Sequence, residues 1–185
     1  SFAMETPSNS VRQQGLINLC PELRMRAPSW AQDPSRLADF FKNFSLRAQH
    51  YFVVHPGMAG SALNWSIPKY LEVIQALLNH QYQVVLTGTI QDEPWLKEIK
   101  NRFSAHPLVV NLQNKLSAED LLVVLDKARA VLAPSTGVLH LAAALGTRSV
   151  GIYSPVQVQR SLRWRARGQH VTIFEPKQSC PAQHR

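Results

Sequence analysis

Cysteine is scarce. Cys20 and Cys180 are the two in 185 residues. They cannot frame a disulfide scaffold and match no zinc-ligand spacing, so a reducing, cytoplasmic setting is the expectation. No apolar run approaches the ~20 residues of a membrane span. Asp126 and Lys127 break even the greasiest stretch, 121–133. The first twenty residues lack the basic start and apolar centre of a secretory signal. There is no G-x-x-x-x-G-K-[ST] run, which excludes a P-loop triphosphatase, and no G-x-G-x-x-G dinucleotide fingerprint. None of the seven histidines forms an H-x-x-x-H or H-E-x-x-H unit, and no carboxylate cluster joins them, so no metal site is expected. Without a G-x-S-x-G elbow a hydrolase triad has no anchor. Internal repeats and low-complexity tracts are also missing.

What is present is an ordinary apolar fraction, 45%, enough for a real core. The charge is unbalanced: 20 Lys and Arg against 12 Asp and Glu give +8, with a pI near 9.9. Such a surface favours anionic partners such as nucleotide phosphates, nucleic acid or acidic lipid head groups. Arg160, Arg163, Arg165 and Arg167 crowd around Trp164. No zinc-finger, RNA-recognition or homeodomain signature accompanies them, so no nucleic-acid partner is expected. The rival nucleic-acid module would show steep salt dependence.

Residues 1–48 carry four prolines before position 36 and little periodicity. They read as a tail or linker, partly the remnant of a preceding domain, with a short helix over 37–47 that buries Leu37, Phe40, Phe41 and Phe44. Residues 49–185 are regular. Strands are predicted at 51–55, 83–87, 108–110, 130–133, 149–153 and 171–174. Helices are predicted at 68–79, 93–102, from Ser117 onward with Asp120 closing a capping box, and at 138–145 with Gly146 as the stop. Strand–helix alternation at this spacing predicts an α/β fold: a Rossmann-like parallel sheet with helices on both faces. Ligands bind such sheets at the carboxyl ends of the strands. That rule selects the loops 55–64, 88–93, 111–116, 134–140 and 154–160, where the polar and glycine-containing stretches fall.

The segment Ala133–Gly146 (APSTGVLHLAAALG) is the most informative. A strand gives way to a helix within a few residues. Ser135 suits the N-cap, and Gly137 admits a ligand close to the backbone. The unpaired N–H groups of the first turn make an anion site, and His140, one turn in, can donate to a phosphate or ribose oxygen. The plain alternative is a capped helix with a histidine bonded to a neighbouring carbonyl. In the loop HPGMAGSALNW, Gly57, Gly60 and Ser61 can wrap a phosphate, or the loop is ordinary surface with Trp65 as a packing anchor. Asp92 or Glu93 can accept ribose hydroxyls, or Glu93 before Pro94 is a charged first helical turn.

Read together, STGVLHLAAALG followed by SVGIYSP resembles the signature of glycosyltransferase family nine, the ADP-heptose:lipopolysaccharide heptosyltransferases and their relatives. The HPG opening, NWSIPKY and NKLSAEDLLVVLDKARAVLA extend the resemblance from about Tyr51 to Phe174. It implies the C-terminal, nucleotide-sugar-binding half of a GT-B fold. The general base is then expected in the missing N-terminal domain, so this half alone catalyses nothing. The implied reaction is inverting and metal-independent, with no cofactor beyond an ADP-linked sugar donor. Heptose or a related sugar would pass to a lipid-linked saccharide acceptor at the inner face of the inner membrane. By position, Ser135, Thr136, Gly137 and His140 would hold the diphosphate. Gly57, Met58 and Ser61 would line it from the other side, Glu93 would meet the ribose, and Leu116 would pack near the base. Ser135 stands where the family often has Asp, and Leu63 where it often has Lys. A stand-alone, non-catalytic nucleotide-binding domain is the alternative.

Overall fold

The computed structural model describes residues 25–58, 64–156, 159 and 161–176. Six strands form one all-parallel sheet: β1 (Tyr51–Val54), β2 (Gln83–Leu86), β3 (Val109–Asn111), β4 (Ala130–Pro134), β5 (Ser149–Ile152) and β6 (Val171–Phe174). Their order is β3-β2-β1-β4-β5-β6. Register runs Phe52 opposite Val84 and Ala130, then Val131 opposite Ser149, then Ser149 opposite Val171. This is the strand order of dinucleotide-binding folds, and it reverses direction between β1 and β4. The fold is therefore the Rossmann-like α/β arrangement expected from the alternation of apolar runs.

Helices cover both faces, which is why the strands are apolar on both sides. Side chains alternate across the sheet. Val54, Val84 and Leu86 meet α2 (Ile67–Asn79) and α3 (Glu93–Phe103) through Tyr70, Ile74, Leu78, Leu96, Ile99 and Phe103. Tyr51, Val53, Val85, Val131 and Ala133 face the opposite cluster. There they pack with Val123 and Leu125 of α4 (Ala118–Asp126) and with Leu139 and Ala142 of α5 (Gly137–Leu145). The small side chains of α5 let it lie close to β4 and β5.

Local signals place the helix ends. Ser117 and Asp120 form the expected capping box on α4, and Gly146 ends α5 in the left-handed region at φ 81°. The amino-terminal helix differs from its predicted span. It runs Pro34–Asn43 as α1, because the Asp33 carboxylate accepts from the backbone N–H of Ser35 at 2.9 Å and Arg36 at 3.3 Å. Those bonds hold the Asp33 carboxyl below its usual range. Phe40 is buried, while Leu37, Phe41 and Phe44 are only partly so. Ala31, Phe40 and Leu46 belong to the same cluster as Tyr51 and Leu139, so part of the segment before residue 49 is packed onto the sheet.

Candidate functional site

The reversal of strand order puts the carboxyl ends of β1 and β4 side by side, and the chains leaving them in opposite directions open a crevice. The loop after β1 and the start of α5 flank it. The loop after β2, with Glu93, and that after β3, with Leu116, lie at the same end of the sheet on the β1 side.

On the β4 side the chain turns sharply. The backbone N–H of Thr136 donates to the Pro134 carbonyl at 2.7 Å, and the Thr136 hydroxyl points back to the same oxygen at 3.4 Å. The N-cap is Thr136, with no side-chain cap bond, and not Ser135 as the sequence suggested. Ser135 instead lies beside the Tyr153 phenol, just beyond β5, where it favours the phenolate against burial. The first N–H groups of α5 have no side-chain cap. They sit at the positive end of the helix dipole.

Gly137 is the first residue of α5. Its φ is not positive, and apart from its chain neighbours and the backbone of its own helix no described atom lies within 4 Å of where a Cβ would stand. Neither backbone conformation nor crowding within the described protein calls for glycine there. What the missing side chain leaves is open approach to the backbone. His140, one turn on, is exposed, and its ring has no hydrogen-bond partner among the described residues.

On the β1 side the picture is more closed. His55 is buried, 7% exposed, with Nδ1 3.1 Å from the Thr87 hydroxyl. Burial disfavours the imidazolium and pulls its pKa below 6.5, against the opposing pull of the Asp92 carboxylate. Asp92, itself 3% exposed, accepts from the Thr89 N–H at 2.8 Å and the Thr89 hydroxyl at 2.9 Å. A Cβ on Gly57 would fall 2.1 Å from Asp92 Cγ. Gly57 therefore has a packing reason of its own: it lets the loop after β1 lie on the loop after β2. Met58 is buried, so its side chain is part of the packing. Asn64 closes the loop, donating to the Pro56 carbonyl and accepting from Trp65 N–H at 2.7 Å and Tyr70 Oη at 3.2 Å. Ser61 and Leu63 lie outside the described residues.

Glu93 accepts from Lys100 Nζ at 2.6 Å, and Lys100 also donates to Gln113 Oε1 at 2.8 Å. Gln113 in turn donates to the Thr89 carbonyl at 2.9 Å. The lysine and glutamine hold the Glu93 carboxyl below its ordinary range, so it is ionised at neutral pH and available as an acceptor. Leu116 is half-buried against the core cluster of β1 and β4. Sequence reasoning missed Lys100, Gln113 and Asn64. Lys100 follows Glu93 by seven residues, two turns along one helix face, and that spacing was the available signal. Nothing local marks the other two. Among the described residues no three His, Cys, Asp or Glu side chains group closely enough to hold a metal ion.

The sequence model of glycosyltransferase family 9 (heptosyltransferase) matches residues 13–185. Lipooligosaccharide heptosyltransferase 2 of Haemophilus influenzae is 27% identical over 133 residues, covering 70% of this chain and 38% of that protein. The structure of E. coli ADP-heptose LPS heptosyltransferase II superposes with a TM-score of 0.69 at 21% identity, over 82% of this chain and 44% of that one. E. coli heptosyltransferase WaaC with ADP gives 0.61 at 20% identity, over 92% and 51%. The chain thus spans about half or less of the length of each of these proteins.

Proposed function

The chain belongs to glycosyltransferase family 9, and from that premise we propose that it is the donor-binding half of an inverting, metal-independent glycosyltransferase. Its ligand is a nucleoside-diphosphate sugar, with ADP as the nucleotide and heptose or a close relative as the sugar. The observation that carries the reading is the start of α5. A helix N-terminus without a side-chain cap stands beside the switch point of the sheet, and its first residue is a glycine that the described protein does not require. A diphosphate seated there is held by backbone N–H groups and the helix dipole. His140 adds a donor to phosphate or ribose, and ionised Glu93 accepts from ribose hydroxyls.

In the reaction an acceptor hydroxyl attacks the anomeric carbon, and the bond from that carbon to the diphosphate oxygen breaks. The hydroxyl proton passes to a carboxylate of the other half of the enzyme. The diphosphate leaves with the bonding pair, and its charge is stabilised by the oriented N–H groups of α5. The acceptor is a lipid-linked saccharide at the cytoplasmic face of the inner membrane. No helix among the described residues is long and apolar enough to cross a membrane.

The test is calorimetric titration of the chain with ADP, UDP, GDP and CDP. ADP is expected to bind best. His140→Ala is expected to weaken it roughly tenfold or more, the worth of a charge-assisted hydrogen bond. Failure of all four nucleotides to bind overturns the reading.

A further inference from the structure

The last third of the chain carries a strongly one-sided charge pattern. Between Asp126 and Glu175 there is no acidic residue, while Lys127 and six arginines fall there, four of the six between 160 and 167. In the same stretch lies α6 (Ser161–Trp164), just past the carboxyl end of β5. Leu162 is 99% exposed and Trp164 51% exposed, two of the four exposed large apolar side chains among the described residues. The Arg163 guanidinium lies 5.4 Å from the Trp164 ring centroid.

This exposure does not come from a loose segment. The Tyr153 phenol, itself buried, donates to the Trp164 carbonyl at 2.8 Å and accepts from the Ala166 N–H at 2.9 Å. The Ser161 hydroxyl bonds the Glu175 carboxylate, and Ala166 is wholly buried. The backbone is fastened to the end of the sheet while Leu162, Trp164, Arg163 and Arg167 are exposed; Arg165 keeps its Nε buried, and Arg160 lies outside the described residues.

We propose that α6, with Arg163 and Arg167, forms a peripheral docking surface for an anionic lipid bilayer. The chemistry matches on each count. Leucine gains by entering the acyl boundary, and tryptophan prefers the headgroup level. Arg163 and Arg167, both exposed, attract anionic head groups and outnumber the one carboxylate packed against α6, Glu175. Two apolar side chains are too few for the core of a stable protein interface.

The experiment is co-sedimentation of the chain with vesicles of phosphatidylcholine, with and without phosphatidylglycerol. Binding is expected only with the anionic lipid and is expected to fall as salt rises. Leu162→Asp should cost roughly tenfold in partitioning, and Arg163→Gln with Arg167→Gln about fivefold for each charge. Leu162 is almost fully exposed, so its replacement leaves the fold intact, and unchanged ADP titration verifies that. Absence of anionic-lipid binding overturns the proposal, as does binding that Leu162→Asp leaves untouched. A lipid-free dimer that Leu162→Asp dissociates would also overturn it, assigning the patch to a second copy. A chain that binds vesicles but no nucleotide would overturn the transferase reading and leave this one standing.

Discussion

Replacing Gly137 with alanine separates a glycine kept for a ligand from one kept for the fold. Position 137 opens α5, has no positive φ, and, apart from its chain neighbours and the backbone of its own helix, has no described atom within 4 Å of an added Cβ. Alanine there meets nothing and narrows the unfolded ensemble, so stability should rise by about 0.4–1 kcal/mol, toward the low end because the first helical turn is weakly constrained. The same methyl stands where a diphosphate oxygen would approach the N–H groups of residues 137–139. Pushing the anion outward should cost at least about 1.4 kcal/mol of binding, a factor of ten in ADP affinity. Urea unfolding reads the first number and calorimetric titration the second. Gly57→Ala is the contrast: its Cβ would overlap Asp92 Cγ at 2.1 Å, so it should lose stability outright. A Gly137→Ala protein that is more stable and binds ADP like the parent would refute the placement of the diphosphate at α5. One that is less stable would refute the claim that the space is open.

Three further outcomes follow from the same geometry. His55 has a folded pKa below 6.5, so the unfolded chain takes up its proton first. Unfolding free energy should be level above about pH 6.5 and fall as the pH drops below it, and His55→Gln should flatten that slope in urea titrations at pH 7.5 and 5.5. Tyr153→Phe strips the acceptor from the buried Ala166 N–H and the donor from the Trp164 carbonyl. It should cost about 1–3 kcal/mol and speed amide exchange at Ala166, while exchange at Val85 follows only global unfolding. Ser117→Ala removes half of a capping box whose hydroxyl accepts from Asp120 N–H at 3.1 Å, for an expected loss of about 1 kcal/mol in thermal or urea unfolding.

The sheet was readable because parallel strands buried on both faces are written as short apolar runs. Glycine or proline punctuates several of them, such as YFVVHPG and QVVLTG, and every predicted strand appears within two residues of its expected ends. Strand order was not readable from those runs, since pairing between strands such as Phe52 and Ala130 is non-local. The cap of α5 was misassigned because Ser135 and Thr136 are both good N-caps in isolation. The structure makes Thr136, whose backbone is extended at φ −128°, the residue that opens the helix, and adjacent residues of equal capping propensity give the sequence no way to choose between them. The role of Gly57 was half legible: glycine signals close approach, but that its near neighbour is Asp92 depends on two loops meeting across β1 and β2. The Lys100–Gln113–Thr89 bridge joins three loops or helices, and only the fold brings such partners together.

The polar side chains around the crevice spend most of their bonding capacity on one another. Lys100 is taken by Glu93 and Gln113, Asp92 by Thr89, and the Trp164 carbonyl by Tyr153. An anion seated at α5, as proposed, would be met by fixed N–H dipoles at short range. The arginines beside α6 act on their partner through long-range charge. Salt separates the two modes, because the Debye length shrinks from about 10 Å at 0.1 M to 3 Å at 1 M and short hydrogen bonds lie inside both. ADP affinity should therefore fall only modestly over that range, while partitioning onto anionic vesicles collapses. If ADP affinity falls as steeply as vesicle binding, the arginines reach the diphosphate, and α6 belongs to the nucleotide site instead of the bilayer surface.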